Sequence, residues 1–378
     1  GELCLLSGPK RLVITTPDST IVYRLANIKK ELIITGGNTA EAVEDTLTVL
    51  SDQSDVFLFN GQLVTVSQGK FVRLNDQILS HYLASTIQYK KFKNQEEGSL
   101  ISIDPPEKLI KSTLSLAPMY DIKKVNSVIN IPTINLDGSL INKPGYDKDT
   151  GIFLDLKSEL PDINEHPTGD DVRKAVNDLL LPFQEFPFAT ILDKSVLLAA
   201  ILTAIVRPAL QTLPAFVFDA SVQGSGKTLL TLCIGALASG EAPAVWSHAE
   251  MKNDDEMRKR LLSLLLADDD IYIHDNIVGE FKSPSLASYL TSGMASDRIL
   301  GTNEYPKIPF NVLVLLTGNN IQVDTDMVRR VFTSRLEPKM ESPHYREFDI
   351  APLIYTLANR EIMVKAALTI ILGWFNST

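Results

Sequence analysis

The 378-residue chain is poor in cysteine: Cys4 and Cys233 are its only two. They lie far apart and fit no metal-ligand spacing, so a reducing compartment suits them best. No signal peptide opens the sequence. Long hydrophobic runs are missing too. The longest, Val196 to Val206, is too short to span a bilayer and reads as a buried helix. A cytoplasmic protein is the expectation. Positive charge is in deficit: 36 Lys and Arg against 46 Asp and Glu leave a net charge of -10. That balance argues against coating nucleic acid by bulk charge, yet it permits a few Lys and Arg presented in a central pore. Internal repeats and low-complexity segments are absent. Hydrophobic residues at 44% and charged residues at 22% read as globular, with chain enough for two or three domains. The chain begins at Gly1 rather than Met and stops at Thr378, just after a helical pattern, so both ends read as cut from a longer protein.

What is present centres on Ser221-Val222-Gln223-Gly224-Ser225-Gly226-Lys227-Thr228. An apolar run, Ala215 to Phe218, precedes it, and a helix-forming run, Leu229 to Ala238, follows. Strand, glycine-rich turn, Lys-Thr and helix form the arrangement that holds nucleotide triphosphates. Gly224, Ser225 and Gly226 let successive backbone N–H groups turn toward phosphate oxygens, and the helix N-terminus adds the positive end of its dipole. Lys227 would neutralise the β- and γ-phosphates of ATP, and the Thr228 hydroxyl would ligate Mg²⁺. Ser221 stands where the usual pattern has its first glycine. The rival reading is a glycine-rich turn before an ordinary helix.

Such a loop requires a carboxylate at the tip of another strand. Ile271-Tyr272-Ile273-His274-Asp275 supplies one, and Asp275 is the expected magnesium-positioning residue. Capping of the following turn is the alternative role. Asn276 follows, where many related ATPases place a glutamate; an amide can orient the attacking water but cannot take its proton. Glu250 and Glu256 are candidate bases. His274 reads as a packed strand residue, with no second His or Cys near it in sequence. A further apolar strand, Asn311 to Leu316, ends in Thr317-Gly318-Asn319-Asn320. Asn319 or Asn320 at that tip is placed to hold the attacking water, although Gly-Asn-Asn alone is only a turn. Arg329 and Arg330 follow, just before Val331-Phe332. They read either as solvated charges or as an arginine finger that completes a neighbouring subunit's site.

The alternation of apolar strands and amphipathic helices from Leu213 onward predicts an α/β core, a parallel sheet with flanking helices. The expected divisions are an α+β, strand-rich N-terminal domain over residues 1–160, a linker and helical collar over 161–212, the core over 213–340, and a helical segment over 341–378. Asn60-Gly61 predicts a tight hairpin, with helices over Leu74–Thr86, Glu107–Leu116, Asp171–Leu180 and Leu192–Val206. Arg360, in a helical run from Asn359 to Phe375, reads as a helix-surface residue or a second sensor.

Taken in order, the phosphate loop, the strand ending His274-Asp275-Asn276, Leu290-Thr291-Ser292, Asp297-Arg298-Ile299-Leu300-Gly301, Thr317-Gly318-Asn319-Asn320 and Arg329-Arg330 carry a resemblance. The set resembles the AAA+ helicase module of phage and mobile-element primase–helicases, relatives of superfamily 3 and MCM-like replicative helicases. Asp104-Pro105-Pro106, Asp137-Gly138-Ser139, Gly145-Tyr146-Asp147 and Thr150-Gly151 look like the segment preceding the ATPase in such proteins. The resemblance covers roughly residues 100–375. It implies an AAA+ fold, a homo-oligomer, typically a hexameric ring, ATP with Mg²⁺, and translocation along single-stranded or forked DNA. By motif, Lys227 and Thr228 bind nucleotide, Asp275 positions magnesium, Asn319 senses the γ-phosphate, and Arg329 or Arg330 is the finger. A hairpin before the sensor strand would meet DNA, with Arg298 and Lys307 against backbone phosphate or, equally, as plain exposed charges. Two other classes stay open: a nucleotide-gated DNA-binding or initiator ATPase that unwinds little, and a protein-remodelling AAA+ ATPase. No primase motif or zinc ribbon is seen.

Overall fold

The computed structural model describes residues 3–5, 11–16, 19–24, 29–35, 37–94, 98–156, 162–251, 253–267, 269–296, 307–338 and 348–377. Contacts divide the chain into two units: Gly1–Thr65 with Val72–Lys124, and Val66–Phe71 with Val125–Thr378. Residues 125–156, read from sequence as the end of the N-terminal domain, fall in the second unit. No helix among the described residues is long and apolar enough to cross a membrane.

The first stretch of chain is α+β. Strands β1 (Leu3–Leu5), β2 (Arg11–Thr16) and β3 (Ser19–Arg24) form one antiparallel sheet. Strand β4 (Lys30–Ile33) leads into helix α1 (Thr39–Ser51). A meander follows, of β5 (Phe57–Phe59), β6 (Gln62–Ser67) and β7 (Lys70–Arg73). Its first turn is the expected Asn60-Gly61, both residues at positive φ (50° and 77°), which matches the strand twist. A second such turn, Gln68-Gly69, carries no comparable sequence signal because glutamine rarely takes positive φ. Helix α2 (Asp76–Thr86) is capped by Asn75, whose side chain accepts from the Ile78 N–H. Strands β8 (Ile87–Asn94) and β9 (Ser99–Ile103) join β4, and helix α3 (Glu107–Leu116) follows the Asp104-Pro105-Pro106 break. Leu47, Leu50, Leu79 and Leu83 are fully buried at the centre of this core.

The second unit opens with short strands, β10 (Ser127–Ile129), β11 (Thr133–Ile134), β12 (Leu140–Ile141), β13 (Gly145–Tyr146) and β14 (Ile152–Leu154). Helices α4 (Gly169–Leu180) and α5 (Ile191–Val206) come next. Each starts with a complete capping box, Thr168 with Asp171 and Thr190 with Asp193, so their first N–H groups are already engaged.

The alternating region then forms the expected parallel sheet. Its elements are β15 (Ala215–Ala220), α6 (Lys227–Ser239), β16 (Val245–Ser247), α7 (Asp254–Ala267), β17 (Ile271–Phe281) and α8 (Pro284–Ser292). A small hairpin of β18 (Met294–Ser296) and β19 (Lys307–Pro309) intervenes. Strand β20 (Leu313–Val323), the short helix α9 (Thr325–Val328), β21 (Val331–Leu336), α10 (Pro352–Ala358) and α11 (Arg360–Phe375) complete the chain. The sheet order is β16-β17-β20-β15-β21, with every neighbouring pair parallel. All six residues of β15 are buried, as a central parallel strand requires. One face of the sheet packs on α5, α6 and α11 through residues such as Phe216, Phe218, Leu197, Ile201, Leu230 and Leu368. The other face packs on α7 and α8 through Val217, Tyr272, Val314, Leu261 and Leu286. The two helices read as a collar therefore share one core with α6 and α11.

Candidate nucleotide site

Strand β15 leads into the glycine-rich turn, and α6 leaves it at Lys227. Gly224 (φ 74°) and Gly226 (φ 94°) take the left-handed conformation that only glycine adopts without strain. A Cβ on Gly226 would also stand 2.8 Å from the Phe186 ring. The N-cap of α6 is Gly226, which offers no side-chain acceptor. Among α4, α5 and α6, only α6 thus begins with N–H groups that its own side chains leave open, the condition for anion binding.

Lys227 is buried, 8% exposed. Its ammonium donates to the Asn319 side-chain oxygen at 2.8 Å, to Ser225 Oγ at 2.9 Å and to the Val222 carbonyl at 3.3 Å. None of these acceptors carries charge. Burial lowers the Lys227 pKa, opposed by the charges of Asp219 and Asp275 nearby.

Asp275 lies on β17, across β20 from the phosphate loop. Its Oδ1 accepts from Thr228 Oγ1 at 2.6 Å and from Thr317 Oγ1. The Asn276 N–H in turn donates to Thr317 Oγ1 at 3.3 Å. Oxygen atoms of one carboxylate and two hydroxyls are the hard donor set that Mg²⁺ takes, with water and phosphate supplying its other ligands. The two expected metal residues, Thr228 and Asp275, are therefore in direct contact. Among the described residues no group of three or more His, Cys, Asp and Glu is placed to hold a metal by itself.

Placing β20 between β15 and β17 brings Asn319 to Lys227. Both strands run further than the sequence pattern indicated: β17 continues past Asp275 to Phe281, and β20 past Leu316 to Val323. Thr317-Gly318-Asn319-Asn320 is thus not a turn at a strand tip but part of the strand. Gly318 is obligatory there, since a Cβ would stand 2.3 Å from the Ile277 carbonyl oxygen. The structure also separates the two asparagines. Asn319 faces Lys227, whereas Asn320 (φ 50°) accepts from Arg335 Nη2 at 3.2 Å. Asn276 is exposed and also at positive φ (63°), in the irregular stretch between His274 and Ile277. Asparagine tolerates that backbone better than glutamate would.

The other candidates separate clearly. Glu250 pairs with Arg260 and Glu256 with Lys259. His274 does have a second histidine: His248, from the turn after β16, lies 2.8 Å from its Nε2, and the Tyr272 hydroxyl lies 2.9 Å from its Nδ1. Burial, then His248 and Arg260, push the His274 pKa down to about 4. Arg360 is neither surface residue nor sensor. It donates to the carbonyls of Leu237 and Ala238, the last turn of α6, and to Asn130, and burial lowers its pKa to about 10.

Arg329 and Arg330 lie at the opposite end of the sheet from the phosphate loop. The Arg330 carbonyl accepts from the N–H of Ala215, where β15 begins. The loop starts beyond Ala220, roughly 16 Å along β15 at about 3.3 Å per residue. Arg330 is held by Thr291 and the Asp326 carbonyl, while Arg329 is exposed and its side chain has no hydrogen bond or ion pair among the described residues. Arg298 lies outside the described residues. Lys307 opens β19 opposite Ser296, its side chain outside them.

Sequence reasoning missed Thr317, Phe186 and the pair Asp219–Arg335. Asp219 did leave a signal, as the lone acid in an otherwise apolar strand.

No protein-family profile matches the sequence, and no curated protein matches it. Three solved apo structures of the NrS-1 C-terminal region overlap this fold in part. The A form shares 12% identity at a TM-score of 0.46, covering 85% of this chain and 68% of that one. The A form of its residues 305–718 gives 12% and 0.41, covering 82% and 65%. A further apo structure of 305–718 gives 14% and 0.42, covering 85% and 67%. Overlap at this level says nothing about chemistry.

Proposed function

We propose that this chain is an AAA+ ATPase that drives a ring helicase along DNA, with ATP as substrate and Mg²⁺ as its metal. The observation that carries the reading is the convergence of an open helix N-terminus, a buried Lys227 with only uncharged partners, and the Thr228–Asp275 contact, with Asn319 between them. The sheet order supports it, because a sensor strand lies between the strand of the phosphate loop and the strand of the acid. Lys227 and the N–H groups of α6 bind and orient the β- and γ-phosphates. Thr228 and Asp275 would hold Mg²⁺, which would supply neutralisation of phosphate charge. Asn319 orients the attacking water at the γ-phosphate.

Arg329, whose side chain has no partner among the described residues, lies at the far end of the sheet from its own chain's Lys227 and suits a neighbour's site. A homo-oligomer, typically a hexamer, follows from that role. The antiparallel β18–β19 base before the sensor strand matches a pore hairpin, with Arg298 and Lys307 as its proposed DNA contacts. ATP hydrolysis stimulated by single-stranded DNA, and ATP-dependent displacement of a forked duplex, are expected of the wild-type protein and not of Lys227→Ala. Stimulation by unfolded protein in place of DNA would point to protein remodelling and contradict the helicase reading.

One observation favours a second reading. Asn276, at positive φ where a catalytic glutamate usually stands, suits slow hydrolysis and a nucleotide-gated initiator. Equal strand displacement with ATP and with a non-hydrolysable analogue would select it.

A further inference from the structure

Three neighbouring strands place a compact polar cluster on the far face of the sheet from α6. Asp219 on β15 is 5% exposed, a buried acid just before the phosphate loop. Its Oδ1 accepts from the Ile321 N–H at 3.0 Å and its Oδ2 from Arg335 Nη1 at 2.6 Å. Arg335 stands directly opposite Asp219 on β21, and its Nη2 donates to Asn320 at 3.2 Å. The Arg335 N–H donates to Asp193 at 2.7 Å, which fixes the arginine's own backbone to the start of α5. Arg335 Nε donates to Glu337 at 3.2 Å, so the guanidinium is held by three separate acceptors.

This cluster grips β20 at the Asn320 side chain and at the Ile321 N–H, immediately after the residue that meets Lys227. Successive side chains of a strand leave opposite faces, so a hold on Asn320 and on the next N–H sets which way Asn319 points. Such a hold is required here. Asn320 (φ 50°) leaves the strand conformation directly after Asn319, and the β17–β20 register shifts between Asn319 and Gln322, so the ladder alone does not hold the segment on that side of Asn319. We infer that Asp219 and Arg335 are positioning residues that clamp the sensor segment, so that Asn319 is held against Lys227 and the γ-phosphate. The inference rests on the nucleotide-site reading for its consequence, although not for the clamp itself. Neither residue touches the reacting atoms; both act through Asn319.

Two measurements test it. Hydrogen exchange on the nucleotide-free protein reads the clamp directly. In Arg335→Gln and in Asp219→Asn the amides of 318–323 exchange faster by about tenfold, the loss expected for a hydrogen bond to a charged group. Those of Leu313–Leu316 stay as in the wild type. Unchanged exchange at 318–323, or acceleration along the whole strand, overturns the proposal. Steady-state ATP hydrolysis reads the consequence. Arg335→Gln lowers kcat about tenfold and leaves nucleotide affinity within about twofold, the pattern of lost transition-state alignment. Arg335→Lys, which keeps the charge but not the two-armed reach, falls between. Adding Asn320→Ala to Arg335→Gln causes no further loss, because both remove one contact. Parallel losses in affinity and kcat, or additive effects of the two substitutions, contradict the inference. If the wild-type protein does not hydrolyse ATP, the nucleotide reading fails, and the exchange experiment still decides the clamp.

Discussion

Helix α6 meets a cation at each end, Lys227 of its own first turn and Arg360 of α11, and the two are treated in opposite ways. At its C-terminus Arg360 sits where the helix dipole favours positive charge. It donates to the carbonyls of Leu237 and Ala238 and to Asn130, and Gly240 (φ 85°) closes the helix beside it. That end is complete. At the N-terminus Lys227 sits where the dipole disfavours a cation, with an amide, a hydroxyl and a carbonyl as its partners. Asp275 stands nearby, bonded to Thr228 and not to Lys227. One cation closes a helix end, and the other is bonded only to uncharged groups. The starts of α4 and α5 are closed by capping boxes, whereas α6 begins on a glycine.

The comparison breaks if the two substitutions behave alike. Lys227→Ala is expected to lower ATP turnover by about 10²–10³, the scale of losing one preorganised charge at developing negative charge. Its thermal midpoint stays level or rises, because a desolvated cation has been removed from the wrong end of a helix. A large drop in midpoint would make Lys227 structural as well. Arg360→Met is expected to do the reverse. Stability to urea falls by about 3 kcal/mol as buried carbonyls lose a charged donor, while the KM for ATP is unchanged once the protein is folded.

Acid separates both ends from a third buried base. His274 is held neutral, with its pKa pushed down to about 4. In the unfolded chain it returns to about 6.5. Between those values the unfolded state binds the extra proton, so this contribution is whole above about pH 6.5 and lost as pH falls toward about 4. The loss approaches about 3 kcal/mol at its limit. Urea midpoints measured across that window should slope in the wild type and flatten in His274→Gln. The smallest effect belongs to Gly240→Ala, which puts a Cβ at positive φ, 3.0 Å from Arg360 Nη1. About 1 kcal/mol of stability is expected to go, read from the urea midpoint, with ATP turnover untouched.

What was legible in the sequence was local. The glycine-rich turn before α6, the Asn60-Gly61 turn and the helices at Glu107–Leu116 and Ile191–Val206 are written in adjacent residues, where φ preference and periodicity act. Asp275 is legible as the carboxylate that ends the β-rich run Ile271 to His274, and it meets Thr228. What escaped reading depends on which strands meet. Arg360 reads as a surface residue because its neighbours include Glu361 and Lys365, yet the start of α11 docks on the end of α6. His274 has no histidine near it in sequence, but parallel pairing of β16 with β17 delivers His248. Asp219 and Arg335 are far apart in the chain and share a register only because β21 lies beside β15. The lengths of β17 and β20 were short in the reading because apolar patterning stops at Asp275 and Thr317, whereas the ladder continues between them.

The central claim is that the open end of α6 binds a triphosphate. Calorimetric titration of ATP with Mg²⁺ into the wild-type protein and into Lys227→Ala tests it most directly. Saturable binding in the first and its loss in the second is the predicted result. No binding by the wild type, or equal binding by both, would contradict the account.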